Sequence, residues 1–126
     1  MAFKVIVANG LRSYRQLLAH AIGAARPEAE VTMVAPALLE AKIEALKPDL
    51  VVCSCARPAE EAGVRAWVEL YTDHGPESVV CVDGSRTAVR NIELEDVLRF
   101  VDRALDRERA RGAEATAGGL SRTEKG

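Results

Sequence analysis

Three short runs of mostly branched apolar residues, Val5-Ile6-Val7, Leu50-Val51-Val52-Cys53 and Val79-Val80-Cys81-Val82, alternate along this chain with longer amphipathic segments. Runs this short and this uniformly apolar belong to strands covered on both faces, the habit of a parallel sheet. The first strand reads at residues 4–8 and is closed by the turn pair Asn9-Gly10. Ser13 is placed to cap a helix, and Tyr14, Leu17, Leu18, Ala21 and Ile22 recur at helical spacing until Arg26-Pro27 stops them. A second strand, 30–34, leads through Pro36 to a helix marked by Leu38, Leu39, Ile43 and Leu46, which ends before Pro48. Residues 49–53 form the third strand. Val64, Trp67, Val68 and Tyr71 share one helical face and predict a third helix over 60–71, broken at Asp73-His74-Gly75-Pro76. A fourth strand follows at 79–82, and the last helix runs from about 94 to 107.

Strand and helix alternate with short links, and right-handed crossovers then give a three-layer α/β sandwich around a parallel sheet. At 126 residues the chain is one domain's worth of protein. The body is expected to end at residue 106. Residues 107–126 contain one large apolar residue, Leu120, and five basic against three acidic residues, where the body has twelve against sixteen. So polar a segment buries too little surface to offset its ordering entropy, and a flexible polar tail is expected.

Charge and composition narrow the function. The net charge of -2 and an aromatic content of 4% offer neither a basic groove nor a stacking platform for nucleic acid. No apolar run is long enough to span a bilayer, and the amino-terminal apolar stretch is too short for a secretory signal. The odd set Cys53, Cys55 and Cys81 points to reduced thiols in a cytoplasmic protein. With Cys81 read in a neighbouring strand, the thiols raise the idea of a metal or redox site. A zinc site lacks a fourth ligand, because His20 and His74 lie in other elements, and packing is the simpler role. No phosphate-binding glycine motif is present, so no cofactor and no metal are expected.

Val5-Ile6-Val7-Ala8-Asn9-Gly10 followed by Ser13-Tyr14-Arg15-Gln16-Leu17-Leu18 resembles the start of a response-regulator receiver domain, most closely of regulators with a helix-turn-helix output domain. Pro48-Asp49-Leu50-Val51-Val52 is similar to that family's third strand, and Glu95-Asp96-Val97-Leu98-Arg99-Phe100-Val101 to its final helix. The likeness spans roughly residues 3–106. It implies a CheY-like, flavodoxin-like sheet of order 2-1-3-4 with a short or irregular fifth segment.

The same resemblance implies a degenerate phosphorylation site. The acidic pair that holds Mg²⁺ in receivers is matched by Asn9 and Gly10, which offer no anionic ligand. Ser54 stands in place of the phosphoacceptor aspartate and forms no acyl phosphate. Asp83 takes the place of the switch hydroxyl, and Arg90 that of the lysine after the fifth strand. Only six residues separate Asp83 from Arg90, where a helix and a strand need about twenty, so the fourth helix is missing. Asp83-Gly84 opens either a tight hairpin into an antiparallel edge strand or a plain loop over residues 84–92.

These readings lead to a non-catalytic, phosphorylation-independent interaction or signalling module. The alternative is a small-molecule-binding protein or enzyme that uses the crevice at the carboxyl ends of the strands. There, Asn9-Gly10 supplies either a positive-φ turn or N–H groups for an anion, and Asp83 is expected to pair with Arg90. Trp67 and Tyr71, together with the stripe Leu94, Val97 and Val101, are the candidate contacts for a protein partner or for a second copy in a homodimer.

Overall fold

Val5, Val7, Val51 and Val52 are fully buried, and each strand that carries them sends alternate residues to opposite faces of one sheet. The structure, a computed structural model, describes residues 3–70 and 77–125, with 113–125 as backbone alone. In chain order the elements are β1 (Phe3–Ala8), α1 (Arg12–Ala25), β2 (Ala29–Met33), a 3₁₀ turn (Pro36–Leu38), α2 (Leu39–Leu46), β3 (Leu50–Cys53) and α3 (Arg57–Glu61). They continue with β4 (Ala66–Glu69), β5 (Glu77–Val82), β6 (Ser85–Arg90) and α4 (Leu94–Lys125). The fold is α/β, with a six-stranded mixed sheet of order β2-β1-β3-β4-β5-β6.

The faces are filled from both sides. Phe3, Val5, Val7, Leu50, Val52 and Val68 pack beneath Leu18 and Ile22 of α1 and Val97, Phe100, Val101 and Leu105 of α4. Ile6, Ala8, Val51, Cys53, Trp67 and Cys81 pack on the opposite face against Leu39 and Ile43 of α2 and Ala59 of α3. Each fully buried Val, Leu, Ile or Phe among them contributes about 1.5–3 kcal/mol relative to leaving it exposed.

The sheet is not wholly parallel. β2, β1, β3 and β4 run parallel, but β5 is antiparallel to β4 and β6 to β5. Residues 70–76 are too few for a crossover, which takes a dozen residues or more, so the chain turns back. Asp83 (φ 51°) and Gly84 (φ 83°) both adopt the left-handed conformation that a two-residue hairpin turn demands, and residues 85–90 are a strand rather than a loop.

The helix expected over 60–71 is replaced by the five-residue α3 and by β4, which lies between the third and fourth strands read from the sequence. The apolar residues there are dense enough to satisfy a helical spacing, but Gly63 (φ 73°) ends α3. Tyr71 and the break at 73–76 lie outside the described residues. Ser13 is no cap: α1 begins at Arg12, with Leu11 before it and no side-chain hydrogen bond. The last helix continues past residue 107 to Lys125, so the boundary expected at 106 falls inside α4. Glu108, Arg109 and Arg111 are good helix formers, and Glu108–Arg111 and Asp106–Arg109 pair at i,i+3.

One ion pair ties the first helix to the last. Arg26 donates through Nε and Nη2 to the two carboxylate oxygens of Asp102, while its Nη1 donates to the Ala25 carbonyl at the end of α1 (2.7 Å). The hydrogen bond from Arg26 holds the Asp102 carboxyl below the usual carboxylate range. A depressed carboxylate stabilises the fold at neutral pH, and that contribution disappears as the pH falls through its folded-state pKa. Asp102→Asn is therefore expected to cost about 0.2–1 kcal/mol near neutrality, the range for a solvent-screened pair. In urea unfolding, the gap to the unsubstituted protein should close as the pH drops below about 4.

Candidate functional site

β1, β3 and β4 end together, with Ala8 beside Cys53 and Cys53 beside Glu69. The residues that follow these strands therefore share one edge of the sheet. Gly10 N–H donates to Ser54 Oγ (2.9 Å), and the Arg15 guanidinium donates to the Asn9 carbonyl (2.9 Å). Neither Asn9 nor Gly10 has a positive φ, and a Cβ on Gly10 would stand 3.8 Å from Ser54 Oγ, an ordinary contact. The pair is thus not a left-handed turn. The Gly10 N–H is already engaged by Ser54.

Asn9 is 1% exposed, and its Oδ1 and Nδ2 have no hydrogen-bond partner among the described residues. Among the described residues no carboxylate or imidazole hydrogen-bonds to Ser54, so nothing there would activate its hydroxyl. The carboxylate at this edge is that of Glu69, half-buried, whose Oε2 accepts from Ala56 N–H (2.8 Å) at the start of α3. Sequence reasoning missed this contact because it placed Glu69 inside a helix. The signal available was Gly63 followed by a run of branched and aromatic residues.

Asp83 and Arg90 do not join this group. They stand at opposite ends of β6, about 20 Å apart at strand rise, because β5 runs back to the amino edge of the parallel strands. Asp83 instead accepts from Arg111 of α4 (2.7 Å), with Arg107 at 3.8 Å, and its N–H donates to the Arg65 carbonyl (2.7 Å). Arg90 faces Glu77 across the β5–β6 ladder. Three strand spacings, about 14 Å, separate its strand from that of Ser54.

The candidate contact residues are mostly occupied within the molecule. Val97 and Val101 are buried between α4 and the sheet, and Trp67 is buried beneath the Arg86 guanidinium, 5.3 Å from the ring centre. Leu94 is 38% exposed. The thiols are separated too: β4 lies between the strands of Cys53 and Cys81, about 10 Å of sheet. Burial pushes the Cys53 thiol up to about 12, whereas Cys55 is exposed. No family model, curated protein or solved structure matches this chain.

Two measurements follow from this geometry. A thiol reagent at mildly alkaline pH should modify Cys55 rapidly, and Cys53 and Cys81 only on unfolding. Asn9→Leu, which removes a buried amide with no hydrogen-bond partner among the described residues, should raise the unfolding free energy by about 1–3 kcal/mol. A loss of stability would show that the amide makes an interaction worth keeping.

Proposed function

We propose that this chain is a degenerate receiver-like module, cytoplasmic and without catalysis of its own, which acts by binding a protein partner or a second copy of itself independently of phosphorylation. One observation carries the reading: the places of the acidic pair and the acceptor aspartate hold Asn9, Gly10 and Ser54, and Gly10 is hydrogen-bonded to Ser54. The run β2-β1-β3-β4, parallel, with α1 and α4 over one face and α2 and α3 over the other, supports the receiver-like, flavodoxin-like comparison. The β5–β6 hairpin departs from it, standing where the family has a fourth helix and a fifth strand.

With Ala66–Glu69 in the role of the fourth strand, the residue that follows it is the buried Leu70, not Asp83, and supplies no switch hydroxyl. No described helix is long and apolar enough to cross a membrane. The small-molecule alternative draws on the Asn9 amide, which has no hydrogen-bond partner among the described residues. Of its polar anchors Ser54, Asp83 and Arg90, however, Asp83 lies at the opposite edge of the sheet from the other two.

Incubation with acetyl phosphate and Mg²⁺ is expected to leave the intact mass unchanged, and Mg²⁺ is expected to leave Trp67 fluorescence unchanged. A stoichiometric acyl phosphate, released by hydroxylamine, would contradict the proposal.

A further inference from the structure

At the amino edge of the parallel strands, opposite the edge just described, a groove of about 650 Å³ runs between α2 and α3. Its floor is apolar, with Ile43 and Pro48 buried and Pro58 and Val64 half-buried. Its rim is acidic. Asp49 Oδ2 accepts from Lys4 N–H, Glu61 pairs with Arg57, and Glu108 pairs with Arg65 and Arg111. Glu40 and Glu44, both exposed, form no ion pair among the described residues. They sit at i and i+4 on α2, where like charges oppose each other and a cation between them relieves the repulsion.

The shape selects among cations. Among the described residues no three groups converge to hold a metal ion. A second depression of about 370 Å³ shares Gly63, Val64 and Arg65 with the groove and continues to Trp67 and the Asp83-Gly84 turn. An extended segment fills such a track, and a small amine fills only part of it. A two-fold contact with a second copy would set Glu40 and Glu44 against the same acidic rim.

We propose that this groove docks a basic, partly apolar peptide segment of a partner protein, its Lys or Arg side chains meeting Glu40 and Glu44 and an apolar side chain resting on Ile43 and Val64. The inference rests on the reading of the chain as an interaction module and names the chemistry of the partner.

The probe is a fluorescein-labelled peptide of alternating arginine and leucine, followed by anisotropy on the full chain, with amide shift mapping by NMR. Binding should be saturable and weaken with salt. It should be about three- to ten-fold weaker in Glu40→Gln/Glu44→Gln, the effect of losing two exposed charge pairs. Glu30→Gln/Glu77→Gln changes the net charge equally, away from the groove, and should bind as the unsubstituted protein does. Shifts should cluster at Ile43, Glu44, Gly63 and Val64.

Equal weakening in both double variants, or shifts that map elsewhere, would overturn the proposal. So would self-association that Glu40→Gln/Glu44→Gln dissolves in light scattering. An absence of peptide binding in a protein inert to acetyl phosphate removes the groove and leaves the module reading. Incorporation of phosphate removes the module reading whatever the peptide does.

Discussion

Between Glu69 and Glu77 the chain has too few residues to cross over the sheet, and the rest of the architecture follows from that shortage. Up to β4 every strand runs the same way, so Asn9, Ser54 and Glu69 gather along one edge. After β4 the chain reverses. β5 delivers Asp83 to the other edge, and β6 brings Arg90 back three strands away from Ser54. A site that needs residues from successive strand ends cannot assemble across such a reversal, whatever those residues are.

The reversal also decides what covers the sheet. Among the described residues no helix stands between β4 and β5, and the outer part of one face is left to the β5–β6 hairpin. There Arg86 stacks over Trp67 and pairs with Glu60 of α3 (3.1 Å). The opposite face is closed by α4, whose Val97, Phe100, Val101 and Leu105 pack in one core with residues of β1, β3, β4 and β5. Asp83 at the hairpin turn holds Arg107 and Arg111, so the stretch 107–111 of α4 is tied to the body by charge.

The core was legible in the sequence wherever periodicity and length agreed. β1, β3 and the stripe of α4 are continuous or strictly spaced apolar patterns with few competing arrangements. Residues 60–71 were not, because Val64, Trp67 and Val68 fit a helical face about as well as they fit a strand, and only Gly63 argued for the break. Once β4 was hidden inside a helix, Cys81 appeared to neighbour Cys53 and Asp83 appeared to share an edge with Ser54. The Asn9-Gly10 pair misled for another reason. Its turn propensity is local, but its backbone is set by the long-range bond from Gly10 to Ser54. The groove beside Glu40 and Glu44 was invisible, since it depends on how far α2 and α3 stand apart.

The separation of the two sheet edges is the claim on which the account stands, and through-space proton contacts measure it directly. Antiparallel β4 and β5 alternate wide and narrow pairs, so one of the facing pairs Trp67–Cys81 and Val68–Val80 must show a short Hα–Hα contact by NMR. The account predicts that contact, together with proximity of the Asp83 amide to Arg65. The staggered contacts of parallel strands between these segments, with Asp83 close to Ser54, would contradict it.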